Sequence, residues 1–105
     1  MSALQAYEAA LELTERMLAC ARSAQWDRLV EHEKERGRLL ESIGRGDSEA
    51  PRDAAARERR RQILEQMIAC DAEVATLTQD WMAELRQILN SVDTSQKLER
   101  TYSAR

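Results

Sequence analysis

Apolar residues recur along the first twenty positions at alternating three- and four-residue steps. Leu4, Tyr7, Leu11, Thr14, Leu18 and Ala21 make one stripe, Leu13 and Met17 widen it, and Glu8, Glu12, Glu15 and Arg16 lie mostly off it. That period is one face of an amphipathic α-helix. It predicts a first helix over residues 2–21, with Ser2 as its N-cap, because a serine hydroxyl accepts a hydrogen bond from an N–H of the first turn. A break near Arg22–Gln25 separates it from a second helix over 25–43. There Trp26, Leu29, Val30, Leu40 and Ile43 share one face, and Trp26 should pack against the first and third helices. The middle of this helix is an unbroken charged run, Glu31–Arg36, followed by Gly37. Opposite charges at helical spacing should hold it together.

The stretch Gly44–Pro51 is a loop. Gly44 suits a helix C-cap, Pro51 suits the first turn of the next helix, and Ser48 or a neighbour caps that helix. A third helix is predicted over 52–92, its stripe marked by Ile63, Met67, Cys70, Val74, Leu77, Trp81, Ile88 and Val92, with Leu64, Ile68 and Leu85 beside it. Arg52–Arg61 contains no large apolar residue, so it should project into solvent or fray. Asn90–Ser95 reads as a second break, followed by a short fourth helix over about 96–103 in which Leu98 and Tyr102 are an i, i+4 pair. The expected fold is therefore all-α: an antiparallel three-helix bundle with a long third helix and a short C-terminal fourth helix, one helical domain over residues 1–105. A long helix facing two shorter ones leaves part of its stripe uncovered. Such a groove is a place for a partner helix, and Val74, Leu77, Trp81, Met82 and Leu85 are expected to border it, with Leu98 and Tyr102 weakly docked over it.

Composition narrows the function classes. Of 105 residues, 43% are hydrophobic and 33% charged, with three Gly, one Pro and no Phe. That is enough apolar material for a core, and it is dominated by good helix formers. A net charge of −3 gives no overall pull toward nucleic acid or an anionic membrane. The basic run Arg57–Arg61 sits in this acidic background without interleaved aromatics and reads as a solvated helix face. No apolar run approaches the ~20 residues of a membrane span, and the N-terminus does not read as a signal peptide. A cytoplasmic location follows. Cys20 and Cys70, fifty residues apart with His32 as the one histidine, match no zinc spacing. They read as buried or half-buried thiols. His32 lies among charges and reads as solvated. Arg45-Gly46-Asp47 is a polar turn. Glu31 and Glu35 lack the facing histidine that a bundle metal site uses. No catalytic, cofactor-binding or metal site is expected.

Two stretches carry a resemblance. Trp26-Asp27-Arg28-Leu29, preceded by a small-residue turn and followed by Glu33, resembles the start of the second helix in the FliT family of flagellar export chaperones. Glu84-Leu85, then Leu98 and Tyr102 four residues apart, resembles that family's third and fourth helices. Three features depart from the pattern: Trp81 stands where a polar or basic residue is expected, Gly37 weakens the second helix, and the expected fourth helix is shorter than in longer family members. The resemblance implies a chaperone without enzymatic activity or cofactor. It would bind the C-terminal helical segment of the filament-cap protein FliD for type III export, and its further partners would include the export ATPase complex and the master regulator FlhDC. A shortened fourth helix implies weak gating of those partners. The alternative class is a structural bundle acting through self-association, such as a homodimer.

Overall fold

The computed structural model describes residues 2–45 and 53–103. They form three α-helices, α1 (Ala3–Arg22), α2 (Trp26–Gly44) and α3 (Ala54–Ser103), with no strand among the described residues. Two units are distinguishable, Met1–Ala75 and Thr76–Arg105, and α3 contributes to both.

The start of α1 is the capping box that Ser2 suggests. Ser2 Oγ accepts from the Gln5 N–H at 3.2 Å, and the Ser2 N–H donates to Gln5 Oε1 at 3.0 Å. Two first-turn donors that would otherwise lack partners are satisfied reciprocally. The helix ends in a left-handed turn. Ala24 has φ 57°, its N–H donates to Ala21 O at 3.4 Å, and the Gln25 N–H donates to Cys20 O at 2.8 Å. This is the Schellman arrangement, so the break expected without Gly or Pro is made by an alanine. Three residues then reverse the chain into α2. Gln25 precedes α2 without a side-chain capping bond.

Within the first unit, α1 and the N-terminal half of α3 run in the same direction. Arg59 donates to both carboxylate oxygens of Glu8 (2.7 and 3.0 Å), and Arg22 donates to Glu73 Oε1 (3.1 and 2.7 Å). Each pair is 51 residues apart in sequence, which requires parallel axes in fixed register. The short turn makes α2 antiparallel to α1, which it contacts. The core between α1 and α3 holds Ala10, Leu11, Ile63 and Met67, with Leu4 and Tyr7 packed against it. Ile63 is fully buried.

Several sequence expectations change. α1 buries a second stripe, Ala6, Ala10, Leu13, Met17 and Cys20, again at four- and three-residue steps, so the helix is covered on two faces. α2 is covered thinly; Leu29 is its buried residue, while Val30 and Leu40 are exposed and Trp26 is half-buried. Truncating Trp26 therefore costs less than the ~3–5 kcal/mol typical of a buried aromatic. Gly44 is the last residue of α2, and the cap is Arg45 at φ −81°, an ordinary right-handed conformation. Ser48, Pro51 and Arg52 lie outside the described residues. The α3 N-terminus is capped by Asp53, whose Oδ1 accepts from the Ala56 N–H at 2.6 Å. Arg59 does not project into solvent, since Glu8 holds it. The expected fourth helix is not separate: α3 continues through Asn90–Ser95 to Ser103. That stretch contains no Gly or Pro to break the ladder, and a Lys97–Asp93 ion pair at i, i+4 (3.1 Å) braces it.

Candidate partner-binding face

Reactive chemistry is sparse. No group of His, Cys, Asp and Glu among the described residues is placed to hold a metal ion. Cys20 is buried and Cys70 half-buried, both free thiols. Burial pushes the Cys70 thiol up, the carboxylates of Glu15, Asp71 and Glu73 push it further, and Arg22 opposes them. A thiol held protonated is a poor nucleophile. His32 is half-buried. An open hollow of about 490 Å³ is lined by Glu8, Glu12, Glu15 and Arg59, but Glu8 is already engaged by Arg59, whose guanidinium holds that carboxyl below its ordinary range. The basic run is likewise occupied in part: Arg59 by Glu8, and Arg61 by Glu58 and Glu65.

One polar cluster ties the first unit together. Arg36 Nη1 on α2 donates to Thr14 Oγ1 on α1 at 3.0 Å and to Asp71 Oδ1 on α3 at 2.7 Å. Thr14 is completely buried and donates to the Ala10 carbonyl at 2.8 Å. The Arg36 side chain is 14% exposed and that of Asp71 is 44% exposed. The cluster's polar groups satisfy one another and tie the three helices together.

The unit Thr76–Arg105 has the opposite character. Here α3 displays Met82, Leu85, Ile88, Leu89 and Val92, exposed by 38–60%. At roughly 100° per residue, Leu85, Ile88 and Val92 fall on one face, with Met82 and Leu89 on its shoulder. A hollow of about 500 Å³ lies along that face, lined by Glu84, Gln87, Ile88, Ser91 and Val92. Large apolar side chains scattered singly on a surface are ordinary, but a contiguous stripe marks a surface that something covers.

Among the residues expected to contact a partner, Met82 and Leu85 lie on this stripe and Trp81 is 38% exposed beside it. Leu77 is half-buried. Leu98 is 54% exposed, and Tyr102 lies in the last turn of α3. Val74 is buried in the first unit, so its side chain is not presented to a partner. Ile88, Leu89, Val92 and Glu84 extend the surface beyond the expected set. Ile88 and Val92 were legible as stripe residues, but the supposed break at Asn90–Ser95 disguised the continuity of their face.

No helix among the described residues is long and apolar enough to cross a membrane. The family model described as "Flagellar protein FliT" matches residues 4–104. A flagellar protein FliT of Cronobacter sakazakii is 31% identical over 102 residues, covering 97% of this chain and 84% of that protein. The one from Citrobacter koseri is 34% identical over 93 residues, covering 89% and 75%. That of Pectobacterium atrosepticum is 31% identical over 100 residues, covering 95% and 79%. No solved structure matches significantly.

Proposed function

Because the chain belongs to the FliT family of flagellar proteins, a chaperone-type and not an enzyme family, we propose that it is a cytoplasmic type III export chaperone that binds the C-terminal helical segment of the filament-cap protein FliD. The observation that carries this reading is the exposed apolar stripe Met82–Leu85–Ile88–Leu89–Val92. A binder of aggregation-prone helices needs an apolar surface and no reactive groups. Methionine adds an adaptable side chain that accommodates a helical ligand. Leu77, Trp81, Leu98 and Tyr102 flank the stripe along α3 and belong to the same proposed surface. The export ATPase complex and FlhDC are proposed to compete for it.

The test is calorimetric titration of the full chain with the FliD C-terminal segment of the same bacterium. Leu85→Ser and Ile88→Ser are expected to weaken binding at least tenfold. Stability should change by no more than about 0.5 kcal/mol, as at other exposed sites. Undiminished binding by both folded variants removes the stripe from the site. Absence of binding by the parent, with concentration-dependent self-association in sedimentation, replaces the chaperone reading by that of a self-associating scaffold.

A further inference from the structure

The apolar stripe in Thr76–Arg105 is bordered unequally. Along one edge stands Glu84, with Asp80 one helical turn before it and turned further from the stripe, and neither forms an ion pair among the described residues. Like charges at i, i+4 repel and weaken a helix, so this edge carries an uncompensated cost. The same edge borders the hollow in which Ile88 and Val92 supply the apolar floor and Glu84 the rim. On the other edge the charges are mixed. Arg86 stands there, and Asp93 is already paired with Lys97.

Resting on the proposed chaperone reading, we infer that this face selects an amphipathic partner helix that carries lysine or arginine along one flank, with its apolar side on Leu85, Ile88 and Val92 and its basic flank on Glu84, Asp80 behind it adding to the negative potential. Charge complementarity decides between occupants. An anionic lipid surface would meet the acidic edge with repulsion. An antiparallel second copy would set the Glu84 edge against its own equivalent, because a two-fold axis across the helices brings each edge to itself. A basic flank relieves the repulsion between the two carboxylates and supplies a counter-charge that neither has among the described residues. A charged edge beside an apolar stripe also fixes which way the partner helix lies, since only one orientation brings opposite charges together.

The experiment uses the full chain and the FliD C-terminal segment, titrated at low and high salt. Glu84→Gln removes the charge and keeps a good helix former; Asp80→Asn/Glu84→Gln removes both; Glu84→Lys reverses one. Helix content by circular dichroism confirms that each is folded. The expected result is weakening of about threefold to tenfold for Glu84→Gln and more for the other two, with the differences collapsing at high salt as screening removes the attraction. A peptide in which one flanking lysine or arginine is changed to Glu should regain affinity toward the Glu84→Lys protein. If the parent binds and all three variants bind alike with an unchanged salt dependence, the acidic edge has no role and the inference fails while the chaperone reading stands. If the parent does not bind the segment at any salt, both fail together. If the parent associates instead with itself and the variants strengthen that association, the occupant is a second copy and the inference is overturned.

Discussion

Ala24 and Gly37 are placed the wrong way round for stability. Ala24 sits at φ 57°, in the left-handed region where a Cβ crowds the backbone and glycine does not. Ala24→Gly is expected to raise stability by about 0.5–1 kcal/mol, seen as a higher urea midpoint at unchanged slope. Gly37 lies inside α2 with nothing within 4 Å of where a Cβ would stand. Gly37→Ala should stabilise by about 0.5–1 kcal/mol, since alanine restricts the unfolded chain and meets no obstacle in the folded one. Arg36 is the opposite case. Arg36→Met removes the link among Thr14, Arg36 and Asp71 but leaves Asp71 half-exposed and able to hydrate, and Thr14 still bonded to Ala10. The expected loss is therefore about 1–2 kcal/mol, below the cost of stranding a fully buried charge. A thermal melt should register it as several degrees. Gly37 is conspicuous in the sequence. Arg36 closes the polar run that begins at Glu31, and nothing local distinguishes it, because its partners lie 22 and 35 positions away.

The three helices differ in how much of each is held. α1 buries ten side chains on two stripes, whereas α2 buries Leu29 alone. Local opening costs least where few apolar contacts are lost. Hydrogen exchange should therefore show amides in the middle of α2 exchanging well before those of Ala10–Leu18 in α1, and equal protection would mean that α2 opens only with the whole unit. The first stripe of α1 was plain from Leu4, Tyr7, Leu11 and Leu18. The second was hidden because three of its members, Ala6, Ala10 and Cys20, are small. Alanine is both a helix former and a spacer for close packing, and a sequence does not say which role it has. The continuous α3 was missed for a related reason. Ser, Asp and Thr at 91–95 favour turns only when their side chains take over backbone partners, and here the ladder continues through them.

For the molecule as a whole, the ion pairs between helices link stability to pH. Arg59 holds the Glu8 carboxyl below its ordinary range. A carboxyl depressed in the folded state binds fewer protons there than in the unfolded chain, so its contribution is present above the ordinary glutamate range and is lost as pH falls through the folded value. Glu8→Gln should flatten the acid limb of the stability curve and leave the neutral plateau little changed, because both side chains are about 40% exposed and solvent screens the pair. An acid limb as steep as the parent's would assign it to other carboxyls. Period and composition by themselves determined that the chain is helical, where two of the three helices begin and end within a few residues, and that apolar stripes exist, since these follow from local spacing and residue type. The Trp26-Asp27-x-Leu29 and Glu84-Leu85 motifs carried the family as well. Only the tertiary structure decided that α1 is covered on two faces, that Glu8 meets Arg59 and Arg22 meets Glu73 in one parallel register, that Arg36 joins three helices, and which stripe residues stay exposed. Those outcomes depend on which distant segment packs against a given face, and the spacing along one helix is the same whether its stripe ends in a core or in water.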